Sequence, residues 1–150
     1  MFKICCFLGQ PIKKNKRISN LLKIEIEKLI QKDFSIFFFT ENGSFNKFCL
    51  DIVNQLKLRY PHIKTICCLH KNFANSPIIN NPDYFFDDYF YYNPKLNHLT
   101  SIENRDREII NQSSLTIFFI NNPKKNSNII NAFEYAKNQN KPFLNFNDII

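Results

Sequence analysis

Glycine is scarce in this chain, and so are methionine and tryptophan. The 150 residues include 2 glycines, 1 methionine and no tryptophan, whereas average usage would supply about ten glycines. Phenylalanine is abundant by contrast, with 17 residues. An excess of phenylalanine, isoleucine, asparagine and lysine is typical of an AT-rich coding sequence, which raises the lysine content without a functional cause. The formal net charge of +7 therefore has two explanations, compositional drift and a polyanionic partner such as nucleic acid.

Long hydrophobic runs are also missing. No run of apolar residues reaches the length of about 18 that spans a bilayer. The N-terminus lacks the charged region, apolar core and small-residue cleavage site of a secretory signal. We therefore predict a cytoplasmic protein with no membrane partner. With 44% hydrophobic residues, the chain is expected to form a single domain over 1–150 with one core.

Paired CxxC spacings are absent from the five cysteines, which are Cys5, Cys6, Cys49, Cys67 and Cys68. Adjacent residues on a strand point to opposite faces, so neither neighbouring pair is suited to chelate one metal ion. We predict that all five are reduced, buried thiols. A zinc site that uses Cys67 or Cys68 together with His70 is the alternative.

Catalytic constellations are missing as well. His62, His70 and His98 are scattered along the chain, and none pairs in sequence with a cysteine or serine nucleophile. Each is expected at a turn or on the surface. The sequence does not decide whether the protein is an enzyme, but it favours a protein that is not one.

What is present is an alternation of buried strands and amphipathic helices. The segment 2–8 is apolar without alternation, which is typical of a central strand covered on both faces. Further strands are predicted at 34–40, 63–69, 115–120 and 142–146. Helices are predicted over 18–32, 45–56, 101–112 and 129–136. The second helix carries a continuous apolar stripe, with Ser44 as its expected N-cap.

This order predicts an α/β protein with a Rossmann-like three-layer sandwich. We expect a five-stranded parallel sheet in the order 3-2-1-4-5, with helices on both faces and right-handed crossovers. The aromatic and acidic segment 83–92 interrupts the pattern. Covering the sheet edge is its expected role, and stacking on a base or docking a partner are the alternatives.

In such a sheet a ligand lies at the carboxyl ends of the strands, beside the reversal in strand order. Three loops should converge there, at 9–17, 42–44 and 121–126. Two of them are basic, with Lys13, Lys14, Lys16, Arg17, Lys124 and Lys125. The last helix starts there too, near Ser127 and Asn128. Lysines and helix N-termini together favour a phosphate, although the lysines are equally consistent with solvated loops.

Several segments, taken in order, resemble one family. Cys5-Cys6-Phe7-Leu8-Gly9-Gln10 resembles the opening Cys-Cys-Phe-x-Gly-His of short bacterial SLOG proteins, the YspA/YpsA-type branch of the Smf/DprA–LOG superfamily. Gly43-Ser44-Phe45-Asn46 is similar to that family's Gly-x-Phe-Asp turn. Further similarities lie at 56–63, at 91–94, at Arg105-Asp106, at 110–114 and at 135–141.

The resemblance implies a Rossmann-like domain that binds nucleotides or their derivatives, usually as a sensor and not as a catalyst. Ligands of the ADP-ribose, NAD or cyclic-nucleotide class are expected. Arg105 would hold a phosphate or position the loop after the fourth predicted strand. The predicted ligand-binding residues are Gly9, Gln10, Lys13, Lys14, Arg17, Gly43, Ser44, Asn46, Arg105, Asn121, Ser127 and Asn128.

Departures from the family pattern fall on the ligand motifs. The family's histidine is Gln10, its acidic positions are Asn46, Asn111 and Ser114, and its glycine-containing phosphate turn reads Ser127-Asn128-Ile129. Glycine allows a close approach of backbone to phosphate, which a side chain at Asn128 should obstruct. The site is therefore either altered or decayed. The glycine-rich motif of the superfamily's phosphoribohydrolases is missing.

Two other functions follow from different features. The basic loops are consistent with a module that binds single-stranded nucleic acid. A pocket that has degenerated would leave an interaction protein, with 83–92 as its contact surface, and a homo-oligomer is one form of such an interaction.

Overall fold

Strands and helices alternate along most of the chain. The computed structural model describes residues 2–41, 43–70, 76–92, 98–125 and 127–150. The strands are β1 (Lys3–Gly9), β2 (Phe34–Phe39), β3 (Lys64–His70), β4 (Asp88–Tyr92), β5 (Leu115–Phe119) and β6 (Phe143–Asn145). The helices are α1 (Lys16–Gln31), α2 (Ser44–Leu56), α3 (Ser101–Gln112) and α4 (Asn128–Asn138).

The strands form one parallel sheet in the order β4-β3-β2-β1-β5-β6. The predicted Rossmann-like α/β fold is therefore confirmed, and β1 is central. The predicted count of five strands in the order 3-2-1-4-5 is wrong, because a sixth strand extends the sheet beyond β3. The chain moves outward from β1 to β4 and then returns to β5. The strand order consequently reverses between β1 and β5.

The strand that the sequence pattern missed is β4, within the aromatic and acidic segment. It pairs with β3 from Ile66 opposite Asp88 to His70 opposite Tyr92. Asp88 and Tyr91 are exposed, whereas Tyr92 is buried. An edge strand is covered on fewer sides than a central one, so its sequence lacks the continuous apolar run that identified β1.

Successive side chains of β1 enter two different cores, which explains the missing alternation in its sequence. Cys5 and Phe7 belong to the core beneath α1 and α2, whereas Cys6 and Leu8 belong to the core beneath α3 and α4. All four side chains are at most 1% exposed. A strand buried on both faces must lie inside the sheet, as the sequence predicted.

The core beneath α1 and α2 is built largely from phenylalanine rings. Phe7 stacks on Phe39 at a centroid distance of 5.2 Å, and it meets Phe45 edge-on at 6.4 Å. Leu22 and Ile26 of α1 are fully buried in the same core. Aromatic pairs of this kind contribute about 0.5–1.5 kcal/mol beyond the area they bury.

The opposite core lies under α3 and α4. Ile109 and Ile110 of α3 are fully buried there, and Ala132 and Ala136 are the buried residues of α4. Phe133 of α4 packs edge-on against Phe118 and Phe143, at 5.2 and 5.0 Å between ring centroids. Helices therefore cover both faces of the sheet. Among the described residues, every helix is too short or too polar to cross a membrane.

All five cysteines are free and buried, as predicted from the sequence. Burial raises the pKa of the Cys6 thiol to about 11 and that of Cys67 to about 12. It also raises the pKa values of Cys5 and Cys49. Because the thiolate is the reactive form, the folded protein should present five inert thiols.

We expect an aromatic disulfide reagent to modify the native protein at least about 100-fold more slowly at pH 8 than the protein unfolded in guanidinium chloride. A rise in pKa of two units alone lowers the thiolate fraction by about that factor. Absorbance of the released thiol would count five groups after unfolding. Rapid labelling of any cysteine in the native protein would contradict this expectation.

Candidate functional site at the carboxyl edge of the sheet

Gln10 lies at the reversal in strand order, where its side chain bonds to the loop after β5. Its side chain is 3% exposed, and its Oε1 accepts hydrogen bonds from the backbone N–H groups of Asn121 and Asn122, each at 3.0 Å. Its Nε2 donates to the Asn122 carbonyl at 3.0 Å. The carboxamide therefore joins the end of β1 to the loop after β5.

Gly9 is in close contact with an aromatic ring. A Cβ atom added to this residue would lie 2.4 Å from Cδ2 of Phe45, well inside van der Waals contact. Phe45 is itself fully buried and stacks on Phe119 at 5.6 Å. The need for glycine at this position thus has a packing cause, which is the approach of α2 to the end of β1.

The start of α2 is anchored by two polar side chains. Gly43 occupies the N-cap position with φ +98, and no side chain caps the helix there. The prediction that Ser44 is the N-cap is therefore wrong. Its Oγ instead accepts a hydrogen bond from the backbone N–H of Ile12 at 3.0 Å. Asn46 is buried, and its Oδ1 accepts from the Thr40 N–H at 3.0 Å.

The predicted basic residues are dispersed over the loop surfaces. Lys14 lies along α2, with its Nζ 3.8 Å from Asp51 Oδ2 and 5.8 Å from the ring centroid of Phe48. Lys13 and Arg17 are exposed. Lys124 and Lys125 are also exposed, in the loop that precedes α4.

Two of the positions that depart from the family pattern lie at the opposite edge. The Ser114 N–H donates to the carbonyl of Ile4, at the start of β1, at 2.7 Å. The Ile4 N–H donates in return to Ser114 Oγ at 3.2 Å. Asn111 accepts a hydrogen bond from the Tyr135 hydroxyl at 2.8 Å. Both residues therefore lie at the amino edge, away from the reversal in strand order.

A buried ion pair lies at the carboxyl edge, in the second turn of α3. Nε and Nη2 of Arg105 donate to Oδ1 of Asp106, at 3.2 and 3.0 Å. The exposed fractions are 7% for Arg105 and 1% for Asp106. Oδ2 of Asp106 is buried without a hydrogen-bond partner. Burial raises the pKa of this carboxyl, and Arg105 offsets the rise only in part.

A small polar cavity lies beside Asp106, between α3 and the first turns of α4. Its volume is about 10 Å³, and Glu103, Arg107, Asn128 and Asn131 contribute polar groups to its wall. Such a volume holds one water-sized group. Ser127 caps α4 through its Oγ, which accepts from the Ile130 N–H at 3.4 Å.

The structure thus separates the predicted site residues into two groups. Arg105, Ser127 and Asn128 lie around the start of α4 and the Asp106 cavity. The others lie on the α2 side of the sheet or in the loops between: Gly9, Gln10, Lys13, Lys14, Arg17, Gly43, Ser44, Asn46 and Asn121.

Asp106 is the residue that sequence reasoning undervalued. It falls between Ile102 and Ile110 at intervals of four, so it occupies the apolar stripe of α3. A carboxylate in such a stripe is a usable signal, because charged residues are almost never fully buried without a partner. Phe45 carried no comparable signal, since its contact with Gly9 depends on the packing of α2.

Within the part of the chain that the structure describes, no three metal-ligating side chains cluster together. His62 and His98 are exposed. The alternative zinc site needs the His70 side chain, which lies outside the described part.

Comparisons with known proteins add little to this geometry. No family model and no curated protein matches the chain. One similar solved structure is an aldo-keto reductase from Klebsiella pneumoniae in complex with NADPH, at 10% identity and a TM-score of 0.33. The alignment covers 91% of this chain but 42% of that one. The chain therefore spans less than half the length of that reductase, and a similarity this weak supports no conclusion about function.

Proposed function

We propose that this protein binds a nucleotide derivative at the carboxyl edge of the sheet, between the starts of α3 and α4, as a sensor and not as a catalyst. The observation that supports the proposal is the buried, unpartnered Oδ2 of Asp106. Buried polar atoms are nearly always hydrogen-bonded, and an unsatisfied one is unfavourable by about 1–3 kcal/mol. A ligand that donates to this oxygen would remove that penalty.

The size of the cavity restricts the donor. A volume of about 10 Å³ admits a hydroxyl or amino group but no ring. A single ribose hydroxyl has the right size and chemistry, because an acidic side chain accepts a hydrogen bond from the ribose 2′-OH in Rossmann-type dinucleotide sites. Asn128 and Asn131 would contact the same group from α4.

Phosphate groups would lie at the start of α4. The first backbone N–H groups of a helix have no partner within the helix, and the helix dipole favours an anion there. Lys124 and Lys125 add positive charge in the preceding loop. A nucleotide derivative combines donors for Asp106 with an anion for α4, which neither an inorganic phosphate nor a neutral sugar does.

Arg105 acts on this site as a positioning residue. Both of its described hydrogen bonds go to Oδ1 of Asp106, so Oδ2 stays available to the ligand. Gly9 and Gln10 would shape the neighbouring loops through Phe45 and Asn121. A SLOG-like binding domain with altered motifs remains the family assignment that we propose.

ADP-ribose, NAD and cyclic AMP should be titrated in turn against the purified protein. We expect at least one to raise the melting temperature, because a ligand at about 100 times its Kd stabilises the folded state by about 2.7 kcal/mol. Asn128→Asp should weaken binding at least about tenfold, since it places a negative charge at the start of α4 beside Asp106. Asn20→Asp on the exposed surface of α1 is the matched control. The absence of a shift with all three compounds, or equal losses in both variants, would contradict the proposal.

Single-stranded nucleic acid is a second candidate, favoured by Lys13, Lys16 and Arg17. Lys16 and Arg17 are the first residues of α1 and Lys13 lies in the loop before it, and all three are exposed. An oligonucleotide added to the same titration distinguishes the two functions. Binding that falls steeply with salt and ignores Asn128→Asp would favour nucleic acid over the nucleotide site.

A further inference from the structure

We infer that α4 borders a second ligand site, separate from the cavity beside Asp106. This site takes a small organic cation with an apolar body of about one ring. The site is a cavity of about 240 Å³ between the end of β5, α4 and the turn after β6. It does not include Asp106, and the inference does not depend on the proposed nucleotide site.

The inner wall of this cavity is apolar and well supported. Ile120, Pro123, Ile130 and Phe133 line it. Ile120 is 5% exposed, and the Phe133 ring is held edge-on between Phe118 and Phe143. A ligand would therefore meet a preformed apolar surface, which is typical of small-molecule sites.

The floor of the cavity is formed by an asparagine with a structural role. Oδ1 of Asn145 accepts from the backbone N–H groups of Ile120 and Asn147, at 3.0 and 3.2 Å. Its Nδ2 donates to the Ile120 carbonyl at 3.1 Å. This side chain fastens β6 to the end of β5, so the cavity has a rigid base.

The charged side chains on the rim are both acidic. Glu134 and Asp148 line the cavity, and no lysine or arginine in the part of the chain that the structure describes does. Although the protein has a net charge of +7, these two carboxylates favour a cation over an anion at the cavity. Asp148 has no cationic partner among the described residues.

A cation already interacts with this rim. Nζ of Lys137 lies 3.9 Å from Glu134 Oε1 and 5.4 Å from the ring centroid of Phe133. Both partners of the ion pair are about half exposed, so it is weak. A ligand ammonium could make the same two kinds of contact from the cavity side, with a second carboxylate at Asp148.

The volume sets the size of the ligand. An apolar cavity of roughly 150 Å³ accommodates benzene, so 240 Å³ leaves space for one ring and a short chain. An aromatic or aliphatic primary amine fits these limits, with its apolar body against Ile130 and Phe133 and its ammonium at the rim.

Phenethylamine is a suitable probe, with 2-phenylethanol and phenylacetate as neutral and anionic analogues of the same shape. Binding to the full chain should be followed by two-dimensional NMR. We expect phenethylamine to shift the resonances of Asn121, Ile130 and Asn147. It should bind at least about fivefold more tightly than the alcohol, because two partly exposed ion pairs, at about threefold to fivefold each, together exceed this factor. Phenylacetate should bind more weakly than the alcohol.

Asp148→Asn and Glu134→Gln should each lower the affinity for phenethylamine by about threefold to fivefold while leaving that for the alcohol unchanged. Asp33→Asn, in the turn between α1 and β2, is the matched control and should change neither. The inference is overturned if the alcohol binds as tightly as the amine, if Asp148→Asn and Glu134→Gln have no effect on the amine, or if the shifted resonances lie elsewhere. Loss of nucleotide binding would leave all these results unchanged.

Discussion

Replacing Gly9 by alanine is expected to destabilise the protein by about 3 kcal/mol, near the upper end of the range for an overpacked core. The new methyl group would lie 2.4 Å from Cδ2, 2.6 Å from Cγ and 2.8 Å from Cβ of Phe45. The ring has no free space to move into, because it is fully buried between Phe7 and Phe119. Urea denaturation, followed by far-ultraviolet circular dichroism, would measure the loss.

The other glycine supplies the control. Nothing lies within 4 Å of a Cβ added to Gly43, whose φ of +98 makes alanine unfavourable through backbone strain alone. Gly43→Ala should therefore destabilise the protein less than Gly9→Ala does, by about 1–2 kcal/mol.

A double-mutant cycle of Gly9→Ala with Phe45→Leu tests the contact between these two residues directly, because a smaller side chain at 45 removes the clash. We expect the double variant to be more stable than the sum of the two single effects predicts, by at least about 1 kcal/mol. Additive effects would show that Phe45 is not the cause.

Removing the Asp106 carboxylate is expected to have an effect of similar or greater size. Asp106→Ala leaves the buried guanidinium of Arg105 without its partner, and breaking a buried ion pair destabilises a protein by about 3–5 kcal/mol. The double variant Arg105→Met with Asp106→Leu removes both charges and should recover most of that stability. Free energies of unfolding from urea titrations would give the comparison. A double variant as unstable as Asp106→Ala would contradict this account of the pair.

The Asp106 carboxyl should also make the free energy of unfolding depend on pH. Because its pKa is raised in the folded state, the folded protein binds this proton more readily than the unfolded chain does. Its contribution to stability is therefore greatest at pH values below its ordinary pKa of 3.8, and it is lost as the pH rises through the raised folded pKa. Asp106→Asn should remove this decline, so the difference in unfolding free energy between it and the wild-type protein should vary with pH in that window. A constant difference would show that the pKa of Asp106 is not raised.

The sequence was most informative where a property could be read from neighbouring residues. The continuous apolar run of β1 predicted a central strand, because burial on both faces leaves no polar position in the sequence. The spacing in α2 predicted a helix for the same kind of local reason. In contrast, β4 lies at the edge of the sheet, and its acidic and aromatic residues carry no comparable pattern. Its pairing with β3 could be found only in three dimensions.

At the carboxyl edge, the sequence predicted where Gly9 and Gln10 lie but not which residues they contact. Gly9 and Gln10 do lie at the reversal in strand order, yet Gly9 contacts Phe45 and Gln10 bonds to Asn121 and Asn122. Those partners are distant in sequence, so their contacts could not be derived from spacing. Ser44 illustrates the same limit, since its hydroxyl bonds to the Ile12 N–H instead of capping α2.

The Gln10 carboxamide also has a consequence for the order of folding. Its bonds to Asn122 span 112 positions of sequence, so they can form only after residue 122 has been made and β5 has docked beside β1. Contacts of such long range slow the search for the native state, because a large loop must close before any of them is gained. The strand β1 therefore gains its neighbour β5 later than its neighbour β2, which follows it directly in the sheet and in the chain.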